Sequence, residues 1–181
     1  MNYFKKLRIK IGNYLLNRKL KKRNYKPIIC NLKHAKKIGI IYDSLSNEDL
    51  SAIKKVEKSY INQNIKVELL GFSNAKIIQD NLIGDNNHHY VCIKDLNWLF
   101  QPKSELLKEF IAKDFDILIN LYTNEDFCTE VIVRSSYAKF KVGPAHLNKN
   151  MHDLMIDGGE KKNNILYLNE QISYYLGIIN S

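Results

Sequence analysis

The amino-acid sequence predicts an α/β protein with a Rossmann-like, mostly parallel sheet and helices on both faces, preceded by a basic amphipathic N-terminal helix. Three observations predict it. A short apolar run with β-branched residues at 38–42 and the strongly apolar 116–122, with a further strand at 66–72, are as expected of strands covered on both faces. The segments between them carry apolar residues at helical spacing, so strands alternate with helices as in a wound parallel sheet. No Asp or Glu occurs before Asp43, which sets the N-terminal segment apart from the rest.

In residues 3–16, Tyr3, Phe4, Leu7, Ile11, Tyr14 and Leu15 fall within one third of a helical wheel and predict an amphipathic helix. Arg18 and Lys22 would interrupt that stripe, so 17–26 reads as a basic run that Pro27 ends. Strand 38–42 follows. Ser46 and Asp49 then form a capping box for a helix to about Gln63, whose apolar face is Leu50, Ile53, Val56, Tyr60 and Ile61. A strand at 66–72, a polar loop at 80–89 and a short strand at 90–93 come next. Pro102 and Ser104 open a helix with Leu106, Leu107, Phe110 and Ile111 on one side. DILINLY, residues 116–122, is the central strand. Thr123 and Asp126 suggest a capping box for a helix to about Ala138, followed by strands at 139–142 and 153–156. The tail places Ile172, Tyr175, Leu176 and Ile179 at helical spacing.

Length and composition, 181 residues with 45% hydrophobic, suit one buried domain and an appendage, here an arm at 1–35 and a domain at 36–181. Cys30, Cys92 and Cys128 are far apart and form no metal-ligand pair, as expected of reduced cytosolic thiols. The basic N-terminus lacks the apolar core of a signal peptide, and no run approaches the ~20 apolar residues of a spanning helix. The sequence therefore predicts a cytoplasmic protein.

The block FDILINLYTNEDFCTEVIVRSSYAKFKVG, residues 115–143, followed by HDLMID at 152–157, resembles an uncharacterised family of bacterial proteins, a domain of unknown function. The resemblance covers most of the body and implies no reaction. More loosely, the strand, helix, small-residue turn and KVG pattern is similar to the first half of two-domain glycosyltransferases of the heptosyltransferase type. That resemblance implies a Rossmann-like fold. It also implies that the nucleotide sugar sits mainly on a second half, which this chain does not contain, so transferase activity is not implied for this chain alone. Asn120 stands where the similar strand often carries Asp.

Open parallel sheets bind ligands at the carboxyl ends of their strands, which nominates Asp43, Ser44, Tyr122, Thr123, Asn124 and the turn after Gly143. The first such turn, DSLSNED, has no glycine and three acids that would repel a pyrophosphate. Asp43 reads first as a turn former. His88 and His89, with Cys92, fit a solvated loop better than a metal site. Cys128, near a helix start, fits a small buried side chain better than an activated thiolate. His146, His152, Asp153 and Asp157 would make an acid/base group only beside a nucleophile, and none is evident. Gly158 and Gly159 suit an exposed turn, and Trp98 is expected to complete the core. No catalytic residue, metal site or cofactor follows from the sequence.

Residues 1–42 hold 13 Lys or Arg and no acid, whereas residues 43–181 hold 15 against 19, so a +13 segment precedes a −4 body. Such a segment calls for counter-charge. Lys5, Lys6, Arg8, Lys10, Arg18, Lys19, Lys21, Lys22, Arg23 and Lys26 are the candidate anion contacts, and Phe4, Leu7, Ile11, Tyr14 and Leu15 the apolar docking stripe. The first expectation is a non-catalytic binding or adaptor protein held on RNA or a ribonucleoprotein such as the ribosome. An anionic membrane surface is the alternative partner, with the stripe inserted and the bases at the head groups, giving a peripheral adaptor on the cytoplasmic face. The stripe could instead pack on the domain or on a protein partner. An enzyme reading, a glycosyltransferase-like half-domain needing a partner chain, stands as a further alternative.

Overall fold

A computed structural model describes residues 3–79 and 82–180. Its centre is a six-stranded, all-parallel sheet in the order β3-β2-β1-β4-β5-β6. The strands are β1 (Lys37–Asp43), β2 (Lys66–Ser73), β3 (His88–Cys92), β4 (Ile117–Asn120), β5 (Phe140–Pro144) and β6 (Leu154–Ile156). The helices are α1 (Tyr3–Arg23), α2 (Asn47–Ile61), α3 (Glu105–Ala112), α4 (Phe127–Ser135) and α5 (Ile165–Ile178). The expected Rossmann-like architecture is therefore present.

The pleat divides each strand between two cores. Ile38, Ile40 and Tyr42 of β1, with Ile117 and Ile119 of β4, pack against Ile53, Val56 and Tyr60 of α2 and Leu168, Ile172 and Leu176 of α5. On the other face, Ile41 and Leu118 meet Leu107 and Phe110 of α3 and Ile132 and Val133 of α4. Successive residues point to opposite faces, and each face needs an apolar neighbour. The runs are continuous for that reason. Asp116 fastens the amino edge: its Oδ2 accepts from the Lys36 and Lys37 amides at 2.9 and 3.1 Å, and its Oδ1 pairs with Lys139 at 2.7 Å.

Several boundaries differ from expectation. Helix α1 runs through Arg18 and Lys22 to Arg23, since those two side chains face solvent and no core excludes them. Asn24, at φ 48, ends the helix in the left-handed conformation. Strand β3 begins at His88, inside the expected polar loop, because His88 and His89 pair in register with Leu69 and Leu70 of β2. Residues 80 and 81 of that loop lie outside the described residues. Asp126, not Thr123, caps α4, its Oδ1 accepting from the Cys128 amide at 2.6 Å. The helix stops at Ser135, short of Ala138, where the cap residue Ser136 turns into extended backbone. Trp98, expected in the core, is 61% exposed. Of the tail residues, Ile172 and Leu176 are buried while Tyr175 is exposed.

The contact between α2 and α5 has a polar pin. The Tyr60 hydroxyl donates to Asn169 Oδ1 at 2.7 Å and lies 2.9 Å from Ser173 Oγ, inside a buried environment. Tyr60→Phe removes one group and strands a buried Asn, so it is expected to cost about 1–2 kcal/mol. Urea denaturation should show a lower midpoint with an unchanged slope.

Candidate functional site

The carboxyl ends of β1 and β4 are adjacent, and the chain leaves them in opposite directions along the sheet, which makes this the switch point of the fold. The expected residues sit here. Asp43 Oδ1 accepts from the Leu45 amide at 2.8 Å, and Oδ2 accepts from Asn124 Nδ2 at 3.0 Å. Ser44 is buried, its amide donating to the Phe72 carbonyl at 3.1 Å. Tyr122 packs its ring 5.7 Å from that of Phe72, and burial, with Asp43 and Asp126 nearby, raises its phenol above the ordinary range. The Thr123 carbonyl accepts from His146 Nε2 at 2.8 Å.

Charge at this edge is negative. Burial, then repulsion from Asp43, pushes the Asp49 carboxyl up to about 6, and Asp126 accepts from Asn74 beside it. Three carboxylates and no glycine turn oppose a dinucleotide phosphate. Among the described residues no group of three His, Cys, Asp or Glu side chains is placed to hold a metal ion. The crevice residues mostly bind one another.

The other polar candidates are dispersed. The rings of His88 and His89 point to opposite faces: His88 Nε2 lies 2.5 Å from the Tyr42 hydroxyl and its ring stacks on Tyr90, while His89 Nε2 lies 3.6 Å from Glu68. They belong to a strand, not a solvated loop. Cys128 is buried, and burial followed by Asp126 raises its thiol, opposite to activation. His152 is buried against Asn120, whose Nδ2 lies 3.1 Å from its Nε2, and a Cβ at Gly143 would overlap its ring. Asp153 Oδ2 accepts from the Tyr25 hydroxyl at 2.6 Å and the Lys141 amide at 2.8 Å, and Asp157 Oδ1 from the Gly159 amide at 2.9 Å. His146, His152, Asp153 and Asp157 therefore form no acid/base group.

Helix α1 lies on α4, and the face it uses is the one opposite the apolar stripe. Gly12 and Leu16 are its buried residues. A Cβ at Gly12 would stand 2.7 Å from the Leu99 carbonyl and 3.1 Å from Phe127 Cε1, so only glycine permits this approach. Arg8 Nε donates to the Trp98 carbonyl at 2.9 Å and its guanidinium lies over the Trp98 and Phe100 rings. Arg134 of α4 reaches back to Asn13 Oδ1 at 3.3 Å and Asn17 Oδ1 at 2.6 Å while paired with Glu130 at 2.7 Å. Arg23 donates to the Ser135 and Ser136 carbonyls at 2.9 and 2.7 Å, completing the C-terminus of α4. Of the nominated bases, Arg8 and Arg23 are thus engaged by the body. Lys5, Lys6, Lys10, Arg18, Lys19, Lys21, Lys22 and Lys26 are exposed.

The stripe faces outward. Phe4 is 69% exposed, Tyr14 65%, Leu7 43% and Ile11 37%, with Leu15 half-buried at its margin. A cleft of ≈ 470 Å³ lies on the inner side of the helix, where Ile9 faces Asn124, Asp126, Phe127, His146 and Met151. A second cluster was not anticipated: Lys141, buried in β5, beside Arg134, Arg23 and Tyr25. Its signal in the sequence is a lysine set into an apolar strand, FKVGP.

An all-parallel sheet wound on both faces, with a polar switch point and a docked basic helix, defines a Rossmann-like α/β protein without a glycine-rich phosphate loop. The chain belongs to a family of unknown function (DUF6913), whose match covers residues 8–179, most of α1 included. No curated protein and no solved structure matches it.

Gly12→Ala favours the helix by about 1 kcal/mol yet blocks its seat. Far-UV circular dichroism should hold, while Trp98, the only tryptophan, changes its fluorescence and α1 is cleaved faster by trypsin. A pH effect arises at His152, which burial and then Lys141 depress from 6.5 to about 3. Between those values the unfolded chain binds a proton that the folded chain does not. Its contribution is thus whole above pH 6.5 and is lost as pH falls toward 3. Asp49, raised from 3.8 to about 6, opposes this loss in part. Urea midpoints measured from neutral to acidic pH should fall, and fall less steeply in His152→Phe.

Proposed function

We propose that this protein is a peripheral adaptor that lies on an anionic membrane surface through the outer face of α1. One observation carries the reading: α1 docks through the face that carries Gly12, Leu16 and its polar neighbours Asn13 and Asn17, and leaves Phe4, Leu7, Ile11 and Tyr14 in solvent. An apolar stripe left outward on a docked helix suits insertion at the level of lipid head groups. The exposed Lys6 and Lys10 flank it, and Arg18 and Lys22 continue the same side toward the C-terminus. This end-to-end division tilts the helix, with its N-terminal half deeper and its basic half at the phosphates, each base contributing on the order of 1 kcal/mol. Among the described residues no helix is long and apolar enough to cross a membrane.

The RNA reading uses the same bases but gives Leu7 and Ile11 no partner, because phosphate contacts do not require an apolar stripe. The half-domain glycosyltransferase reading would place its ligand at the switch point, and the carboxylates of Asp43, Asp49 and Asp126 weigh against a nucleotide sugar there. The body is read instead as a binding platform carried by α1.

Flotation with phosphatidylcholine vesicles containing phosphatidylglycerol, across a salt series, tests the attachment. The full chain should float with anionic vesicles and be released as salt rises. Phe4→Gln/Leu7→Gln/Ile11→Gln should weaken binding roughly 100-fold, at about 1 kcal/mol per side chain partly buried in the interface. Co-sedimentation with RNA that survives this triple change, with no vesicle binding by the unchanged chain, would return the function to nucleic acid.

A further inference from the structure

The buried cluster around Lys141 lies apart from the outer face of α1 and is independent of the membrane reading. A cleft of ≈ 410 Å³ opens between the C-terminal part of α1, α4 and the amino ends of β5 and β6, lined by Lys21, Tyr25, Arg134, Lys141, Asn150 and Asp153 among others. Lys141 is only 4% exposed. Its Nζ has a long contact, 3.4 Å, with the Arg134 carbonyl and sits 4.0 Å from the centre of the Tyr25 ring. The Arg134 side chain is 10% exposed, and its Nε is buried with no hydrogen-bond partner among the described residues. Two cations therefore line one cleft with donors unused.

Their counter-charge is incomplete. Glu130 pairs with Arg134 at 2.7 Å. The cleft's own carboxylate, Asp153, already accepts through Oδ2 from the Tyr25 hydroxyl and the Lys141 amide. Arg23 adds a third positive charge, its guanidinium 5.0 Å from the Tyr25 ring centre. A buried ammonium that makes no direct ion pair is costly even with Asp153 nearby, and the protein can relieve that cost by releasing the proton or by admitting an anion. We propose that the cleft binds a tetrahedral oxyanion of the phosphate-monoester class, held by Lys141 and Arg134, with Lys21 at the mouth. The volume leaves room for an organic group beyond the phosphate.

Burial, then Arg23, lowers the Lys141 amine to about 7, with Asp153 acting in the opposite direction. Binding of an anion should therefore draw a proton onto Lys141 and weaken as pH rises. The groups facing it are Lys21 and Arg23 from α1, Tyr25 from the following segment, Arg134 from α4, and His152 and Asp153 from the β5–β6 connection. Burial raises the Tyr25 phenol and lowers the His152 imidazole, so neither changes charge near neutrality.

Sulfate and inorganic phosphate are suitable probes, sulfate because its charge is constant across the range. At about pH 6, roughly 10 mM sulfate or phosphate should raise the melting temperature of the full chain by on the order of 3 °C beyond chloride at equal ionic strength. At about pH 8.5 the sulfate effect should fall by roughly tenfold in affinity or more. Lys141→Met should abolish the shift. Arg134→Lys, which keeps the charge, should reduce it and guards against a variant that does not fold. Vesicles with and without phosphatidic acid distinguish the source of the phosphate. If Lys141→Met loses the phosphatidic acid-dependent part of vesicle binding, the ligand is a lipid head group; if vesicle binding is kept while the phosphate shift is lost, it is a soluble phosphate compound. No shift beyond chloride in the unchanged chain, or an equal shift in Lys141→Met, overturns the site. Neither result depends on the apolar stripe, so failure here leaves the membrane reading standing.

Discussion

Contact between α1 and α4 decides what this protein presents to its surroundings. A helix of 21 residues with both leucines and lysines could lie on a domain by several faces, and hydrophobic burial alone would select the stripe of Phe4, Leu7 and Ile11. The observed seat combines burial of Leu16 with close approach at Gly12 and polar matching. Arg134 binds Asn13 and Asn17, Arg8 covers Trp98, and Arg23 closes the end of α4. Such contacts are directional and fix rotation about the helix axis, which apolar contact does less strictly. Rotating the helix by half a turn would bury the stripe but would leave Arg134 buried without Asn13 and Asn17. The exposed stripe thus accompanies a seat that buries Leu16 and satisfies a buried cation.

Much of the body was legible because its physics is local. Strand 38–42 is a continuous apolar run, 69–72 and 117–119 are the apolar cores of two more strands, and a sheet covered on both faces demands them. Ser46 and Ser104 cap helices as their positions suggest, accepting from the amides three residues on. Errors gathered where a tertiary partner outweighs local pattern. Thr123 looked like a cap, yet Asp126 takes that role while also receiving Asn74 from another loop. His88 looked solvated, yet β2 offers it a register and Tyr42 a hydrogen bond. Trp98 looked like core, yet its ring lies at the surface beneath Arg8.

Less of the candidate site was legible. The switch-point residues follow from the fold rule and lie where the rule puts them, but their mutual bonding depends on loops meeting across the sheet. The basic segment was plain from counting charges, whereas its division into exposed and engaged bases was not. Arg8 and Arg23 have the same composition context as Lys10 and Lys22. Only the docking rotation separates them. Lys141 was the least visible, since a single lysine in a strand carries no periodic signal and its neighbours Arg23 and Arg134 come from distant parts of the chain.

The two regions share one mechanical element. Lys21 and Leu20 line the Lys141 cleft and belong to the helix whose opposite side carries the stripe. Arg23, Arg134 and Lys141 repel one another across the joint between α1 and the body, and Arg23 and Arg134 both lower the Lys141 amine. An anion in the cleft would remove that repulsion and hold the C-terminal half of α1 more firmly to α4. By linkage, whatever steadies α1 in its seat must favour the anion to the same degree. A bilayer that draws the stripe outward would act on the same joint from the other side, so the sign of coupling depends on whether α1 inserts while seated or must lift. The contacts of Arg8 and Arg23 with the body leave the stripe free without lifting α1, so an anion that steadies the seat would not oppose a partner that meets the stripe in the seated position.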